Sequence, residues 1–222
     1  MARYRLDDPP FAGRTGRGVR VAVVDSGIHA AHPHVGGITG GVCVVPGVDE
    51  GDFVDSIGHG TAVAAAIREK SPDAELLAIR VFDRQLATTS DLLARAIVWA
   101  ADHDARIINL SLGTTNTLHA ERLADAVRHA SARGALVVSP RESDGVPTLP
   151  GALPDVAGVT VDWQLERDEI EFVENAAGWR SYRASGYPRP IPGVPKERNL
   201  HGVSFAVANV SGFLARTMES RE

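Results

Sequence analysis

Apolar and polar positions along the chain fall into blocks that predict alternating strands and helices. Two stretches, 93–101 and 123–130, carry apolar residues at three- and four-residue spacing, which predicts amphipathic helices. Short apolar runs predict strands that are covered on both faces. These runs are residues 19–24, 76–81, 106–110 and 135–138. The pattern favours a three-layer α/β/α fold with a mostly parallel central sheet.

The second half of the chain is less regular. Regularity declines from residue 141 to residue 200, and Gly and Pro cluster at 187–193, which predicts a surface loop. A last helix is predicted from about residue 203 to about residue 217. Because the chain has 222 residues, 44% of them hydrophobic, we expect a single domain spanning 1–222.

Charge and cysteine content narrow the range of partners. The net charge is −5, and the scattered Lys and Arg residues form no basic stripe, so neither nucleic acid nor an anionic membrane is expected as a partner.

Cys43 is the only cysteine, and its apolar run, 42–45, predicts a buried strand residue. Residues 1–11 lack the apolar stretch of a secretory signal, and we therefore expect a cytoplasmic protein.

Three short segments carry the residue types of a Ser/His/Asp triad. Asp25 lies in the segment 23–27, His59 in 58–61 and Ser204 in 202–206, each beside glycine or small residues. Such neighbours allow tight turns and close approach of a substrate. Each residue also has a simpler interpretation: Asp25 could form a turn with Gly27, His59 could open a helix, and Ser204 could be an N-cap.

The order Asp, His, Ser along the chain is that of the subtilisin type. With the segment 107–113, Ile-Ile-Asn-Leu-Ser-Leu-Gly, the chain resembles the subtilisin-like serine proteases. The resemblance implies a subtilisin-like fold and a peptide or protein substrate. It also implies that Ser111, Leu112 and Gly113 form an edge for the substrate backbone and one wall of the primary specificity pocket.

The resemblance implies a role for each triad residue. Ser204 would be the nucleophile that forms an acyl-enzyme, and His59 would take its proton and return it to the leaving amine. Asp25 would fix the tautomer of His59 and stabilise the imidazolium. No cofactor is required for this chemistry.

Departures from the family pattern are concentrated around the expected site. The oxyanion-hole asparagine of the family is missing, and Ser143 stands in its place, with Arg141 as an alternative donor. Ala208 and Asn209 replace the family's Pro-His after the nucleophile. Residues 67–73 run directly into the next strand, without the family's calcium loop. We interpret His29, His32 and His34 as solvated residues, because a closed metal site needs further ligands, and expect no metal.

Three hypotheses for function remain open at this point. The first is an endopeptidase of restricted specificity that processes a peptide or precursor, in keeping with the charged residues Arg141, Glu142 and Asp144. The second is a catalytically weak or inactive homologue that binds a peptide. The third is a peptide ligase or macrocyclase, because the missing proline could leave room for an attacking amine. The sequence does not indicate an oligomeric state.

Overall fold

The computed structural model describes residues 2–83, 87–174 and 180–220. Within these ranges, four α-helices are present: α1 (His59–Lys70), α2 (Ser90–Asp102), α3 (Ala120–Ala132) and α4 (Val203–Met218). The strands are β1 (Ala2–Arg5), β2 (Arg20–Asp25), β3 (Gly40–Cys43), β4 (Glu75–Arg80), β5 (Ile107–Leu110), β6 (Leu136–Pro140), β7 (Glu142–Ser143), β8 (Val146–Pro147), β9 (Val156–Val161), β10 (Glu169–Glu174) and β11 (Arg180–Ala184).

A nine-stranded sheet forms the middle of the molecule, in the order β1-β10-β11-β9-β6-β5-β2-β4-β3. The seven strands from β11 to β3 are parallel, while β10 pairs antiparallel with both β11 and β1. From β2 the chain continues to β3 and β4 on one side, and from β5 it continues to β6 and β9 on the other. The carboxyl ends of β2 and β5 therefore flank the point where strand order reverses, which is where α/β sheets bind ligands.

Two helix layers cover the sheet. Alternate residues of β2 point to opposite faces: Val21 and Val23 pack in the cluster that holds α1 and α4, and Ala22 and Val24 pack in the cluster that holds α2 and α3. The strands read as continuous apolar runs because both faces of each are buried. The three-layer α/β/α prediction is confirmed.

The first and last of these helices pack closely on each other. A Cβ atom on Gly212 of α4 would lie 2.5 Å from Cβ of Lys70, so only glycine admits this approach. Lys70 is fully buried, and burial lowers the pKa of its amine to about 8. The amine contacts Glu69 at 2.6 Å.

Most predicted elements are confirmed, with boundaries that differ by a few residues. The predicted strands became β2, β4, β5 and β6, the predicted helices became α2, α3 and α4, and Cys43 is buried at the end of β3. Residues 187–193 form no helix or strand, as predicted for a surface loop. No helix in the described ranges is long and apolar enough to cross a membrane.

The expectation of declining regularity from residue 141 is wrong for its first part, which contains β7 to β11. β10 and β11 mix charged with apolar residues. Both lie near the sheet edge, and β10 pairs antiparallel with its neighbours. β9 contains Gly158, which weakens its strand signal. β7 and β8 form a hairpin across Asp144 and Gly145, which both have positive φ. Asp-Gly is the typical sequence signal for this turn.

Candidate active site

Asp25 occupies the carboxyl end of β2, where its side chain is 1% exposed. Its Oδ1 atom accepts a hydrogen bond from the main-chain N–H of Ser26 at 2.8 Å and contacts Nδ1 of His59 at 2.8 Å. Its Oδ2 atom is buried without a hydrogen-bond partner among the described residues. Asp25 therefore does more than form a turn with Gly27, because its carboxylate holds the imidazole.

His59 is the first residue of α1, and Gly58 precedes it in a left-handed conformation, with φ of 94°. The helix can approach β2 because the next residue is Gly60, where a Cβ atom would lie 2.2 Å from the carbonyl oxygen of Gly27. This contact between backbones brings the His59 ring onto Asp25. His59 therefore opens a helix, as its simpler interpretation holds, and also contacts a buried carboxylate.

Asp55, which the sequence analysis missed, organises the turn before His59. Its Oδ1 atom accepts hydrogen bonds from the Ser26 hydroxyl and from the N–H groups of Ile57 and Gly58. Its Oδ2 atom accepts from the N–H and the hydroxyl of Thr61, at 2.9 and 2.6 Å. Burial raises the pKa of Asp55, but these hydrogen bonds outweigh that effect and hold it below its ordinary value. An Asp that accepts from the N–H two residues further on forms an Asx-turn, and the Asp followed by Gly58 is a turn signal that could have identified it.

Two opposing effects set the pKa of His59. Burial lowers it, because a charged imidazole is poorly solvated there, while the hydrogen bond and charge of Asp25 and the charge of Asp55 raise it. The net result is a pKa above the ordinary value. Proton uptake by His59 is therefore favoured at this position, as a general base requires.

Ser204 lies in the first turn of α4, two residues after the helix N-cap Gly202. Its hydroxyl donates to the carbonyl oxygen of Ser111 at 3.1 Å and does not cap the helix, so the N-cap interpretation is wrong. The next residue, Phe205, has its ring centroid 5.6 Å from that of His59. In this part of the described chain, the N–H groups of Val203 and Ser204 have no hydrogen-bond acceptor. These groups lie at the positive end of the helix dipole and can receive an oxyanion.

A chain of buried polar groups joins β5 to α4 beneath Ser204. Ser211 donates to Oδ1 of Asn109 at 3.0 Å, and Nδ2 of Asn109 donates to the Ser111 hydroxyl at 2.9 Å. The Ser111 hydroxyl in turn donates to the carbonyl oxygen of Ser204 at 3.5 Å. Asn109 belongs to the segment 107–113 that resembles the family, but its position in the sequence indicated no role for its side chain.

The predicted substrate edge, Ser111 to Gly113, continues beyond the end of β5. Gly113 packs against Thr148, since a Cβ atom on Gly113 would lie 2.5 Å from Cγ2 of that residue. The N–H and carbonyl of Gly113 have no hydrogen-bond partner within the ranges the structure describes, and the Leu112 carbonyl accepts only from the Ser139 hydroxyl. Peptide groups of this edge are therefore open to another chain.

Ser143 and Arg141 lie beyond the carboxyl end of β6, on the side of the sheet where Asp25 and Ser111 also lie. Ser143 is exposed in the β7–β8 hairpin, and its hydroxyl has no hydrogen-bond partner among the described residues. The Cβ atom of Arg141 packs against Gly158. A Cβ atom added to Gly158 would lie 3.3 Å from it. The prediction that Ser143 replaces the oxyanion asparagine stays a prediction.

Two cavities open beside this set of residues. One, of about 920 Å³, reaches the edge at Leu112 and Gly113 and extends to the first turns of α2 and α3. The other, of about 700 Å³, borders Gly58 and Thr61 next to His59 and extends under the loop that contains Ile191. Their linings share no residue, and neither lining includes Asp25, His59 or Ser204.

His29, His32 and His34 line the second cavity. His29 and His32 are exposed, and His34 is half-buried, with its pKa lowered by burial and by Arg189 and His32. Across the described ranges, no group of three or more His, Cys, Asp and Glu side chains is arranged to hold a metal ion.

Comparison with known proteins identifies the family of this chain. A sequence model of the subtilase family matches residues 16–140. Subtilisin Savinase from Lederbergia lenta is 32% identical, over 91% of this chain and 77% of its own length. Thermitase from Thermoactinomyces vulgaris is 31% identical, over 96% of this chain and 86% of its own length. The chain belongs to the subtilase family.

The coverage differs among relatives. An alkaline protease from Alkalihalobacillus alcalophilus is 32% identical over 91% of this chain, which spans only 54% of that protein's length. Among solved structures, that of a lanthipeptide protease has a TM-score of 0.73 and 21% identity, over 92% of this chain and 75% of that one. This likeness shows a shared fold.

Replacing Asp55 by Asn tests the electrostatic environment of His59. Asp55→Asn removes one of the two negative charges that raise the pKa of His59, so we expect that pKa to fall. NMR titration of the imidazole, assigned with His59→Gln, measures it without relying on activity. Asp52→Asn is the control, because Asp52 is three residues away and half-exposed. Equal shifts in both variants would contradict the prediction.

The same variant should lose stability in a pH-dependent way. Hydrogen bonds to a charged group contribute about 1.5–3 kcal/mol, so we expect a loss of that order at neutral pH. Because the native pKa of Asp55 lies below its unfolded value, its contribution is present above pH ~4 and fades as pH falls through the native pKa. Urea unfolding of Asp55→Asn and the parent should therefore converge in acid; a constant difference would contradict this.

Proposed function

We propose that this chain is a serine endopeptidase that hydrolyses peptide bonds through an acyl-enzyme on Ser204. The observation that carries the proposal is the Asp25–His59 contact beside Phe205, in the first turn of the helix that carries Ser204. This arrangement supplies a nucleophile, a base with a raised pKa and open N–H donors in one place.

The reaction proceeds in two halves. His59 takes the Ser204 proton as Oγ attacks the scissile carbonyl, and the oxyanion forms against the N–H of Ser204. His59 then gives the proton to the leaving amine, which breaks the C–N bond and leaves the acyl-enzyme. Water attacks the ester with His59 as base, and the proton returns to Ser204 as the carboxylic acid leaves.

The Ser204 hydroxyl must first leave the Ser111 carbonyl, to which it donates in the free protein. We propose that a main-chain N–H of the substrate takes over this carbonyl as the peptide binds along residues 111–113. The hydroxyl then turns to His59. The open peptide groups of Gly113 support binding of a second extended strand.

The cavity that reaches Leu112 and Gly113 and the cavity that borders Gly58 and Thr61 offer space for residues of an extended peptide. We propose restricted processing of a peptide or precursor as the role, supported by the charged side chains Arg141, Glu142 and Asp144 and by Thr148, which fills space beside Gly113. The structural neighbour named as a lanthipeptide protease acts on peptides by its name, which is consistent with this role. The single domain 1–222 is part of the proposal, and the cytoplasmic location stays a prediction.

A second candidate is a catalytically weak homologue that binds a peptide in the same groove. The exposed Ser143, free of hydrogen bonds in the described chain, favours it, because an oxyanion donor works best when its position is fixed. Turnover by Ser143 variants separates the two candidates.

Covalent labelling tests the nucleophile. A fluorophosphonate should add once to the purified chain by intact mass, and Ser204→Ala should remain unlabelled. Ser56→Ala, an exposed serine near His59, is the matched control and should label at the parent rate. Absence of an adduct on the folded parent protein would refute the proposed chemistry.

Substitution of Ser143 tests the oxyanion hole. If its hydroxyl is the second donor, Ser143→Ala should lower kcat ~100- to 1000-fold with KM preserved. Ser143→Asn should then retain activity. The weak-homologue candidate instead expects no effect of Ser143→Ala and a large gain from Ser143→Asn.

Product analysis tests restricted processing. We expect few cleavages in a panel of unrelated denatured proteins, with free carboxylic acids as the products by mass spectrometry. Indiscriminate digestion would contradict restricted specificity. If the products are cyclic or ligated peptides and not hydrolysed ones, the ligase hypothesis is correct and the hydrolysis proposal is wrong.

A further inference from the structure

Asn209 is a fully buried polar residue of α4 that the proposed reaction does not use. It lies five residues after Ser204. Its Nδ2 atom donates to the carbonyl oxygens of Ser185 at 2.9 Å and Tyr187 at 3.2 Å. Since both partners can only accept, the amide orientation is fixed by chemistry.

The oxygen of the same amide is buried without a hydrogen-bond partner in the described chain. An unpaired buried acceptor is costly, so a residue that is only filling space here would be better apolar. The two donated bonds are therefore the reason for an amide at this position.

The carbonyl between the two partners belongs to Gly186, and it accepts the N–H of Gly202 at 2.9 Å. Gly202 is the N-cap of α4 and stands two residues before Ser204. Gly186 is also pressed against the ring of Trp163, since an added Cβ atom would lie 2.6 Å from it. Asn209 and Trp163 thus fix residues 185–187. These residues in turn fix Gly202 at the start of α4, the helix that carries Ser204.

We propose that Asn209 is a positioning residue for Ser204: its amide fixes residues 185–187, whose central carbonyl fixes Gly202 and hence the open N–H groups at the start of α4. Asn209 touches neither substrate nor reacting atoms in this role. The inference rests on the proposed function for its catalytic consequence, but the hydrogen-bonded arrangement itself can be tested independently.

The kinetic test compares three substitutions at this site. Asn209→Leu keeps a similar volume and removes both donors, and Asn209→Asp keeps the shape without donors. We expect each to lower the second-order rate of fluorophosphonate labelling about 10- to 100-fold, because small misplacements of reacting groups are costly. Asn209→His retains an N–H donor and should recover much of the rate.

A merely structural role would give a different result. Val210→Ala, at the next and equally buried position, is the control for general destabilisation and should label at the parent rate well below its unfolding temperature. The pH midpoint of labelling should be unchanged in Asn209→Leu, because the Asp25–His59 contact is intact, while the plateau falls. A rate that tracks thermal stability in all variants would overturn the proposal.

Hydrogen exchange separates this proposal from the proposed function. The Gly202 amide should exchange faster in Asn209→Leu than in Val210→Ala, because its acceptor is no longer held. Equal protection would overturn the positioning role even in an active enzyme. The two proposals can also fail separately. If the fluorophosphonate does not label the parent protein, the proposed function fails. If the Gly202 amide then loses its exchange protection only in Asn209→Leu, the structural link from Asn209 to the start of α4 still stands.

Discussion

The contact between two backbones, at Gly60 and Gly27, is the constraint on which the site depends. A side chain at residue 60 would overlap the carbonyl of Gly27, so only glycine lets the first turn of α1 meet the end of β2. That approach buries Asp25 and brings His59 onto it. The pKa of His59 depends on the same contact. The contact buries the imidazole, which lowers its pKa, and it places the ring on the carboxylate of Asp25, which raises its pKa.

The helix α4 joins the remaining parts of the site to this pair. Successive residues face different neighbours: Ser204 faces the edge at Ser111, Asn209 the loop 185–187, and Ser211 the buried Asn109. Gly212 sets the distance to α1 through Lys70. Displacement of α4 would therefore disturb Ser204, the open N–H groups at the start of α4 and the helix of His59 together.

Sequence patterns were sufficient for most of the parallel core, but not for β9 or for the sheet edge. Strands buried on both faces are apolar throughout, and so β2, β4, β5 and β6 could be predicted. β10 and β11 were missed because their pairing and side-chain environment come from distant parts of the chain. At the site, Asp25, His59 and Ser204 could be named from the glycines beside them. The roles of Asp55 and Asn209 could not be assigned, because these roles depend on which main-chain groups the fold brings to their side chains.

The hydrogen bond from Ser204 to the Ser111 carbonyl has a consequence for the protein in the absence of substrate. If Ser204 is the nucleophile, its proton is engaged by a main-chain acceptor that cannot remove it, so the resting hydroxyl is less reactive. A reagent that carries no peptide N–H, such as a fluorophosphonate, reacts only when the hydroxyl turns from that acceptor to His59 unaided, whereas a bound peptide displaces the hydroxyl. Such an enzyme would react faster with peptides than with small esters, whatever the side chains of the peptide.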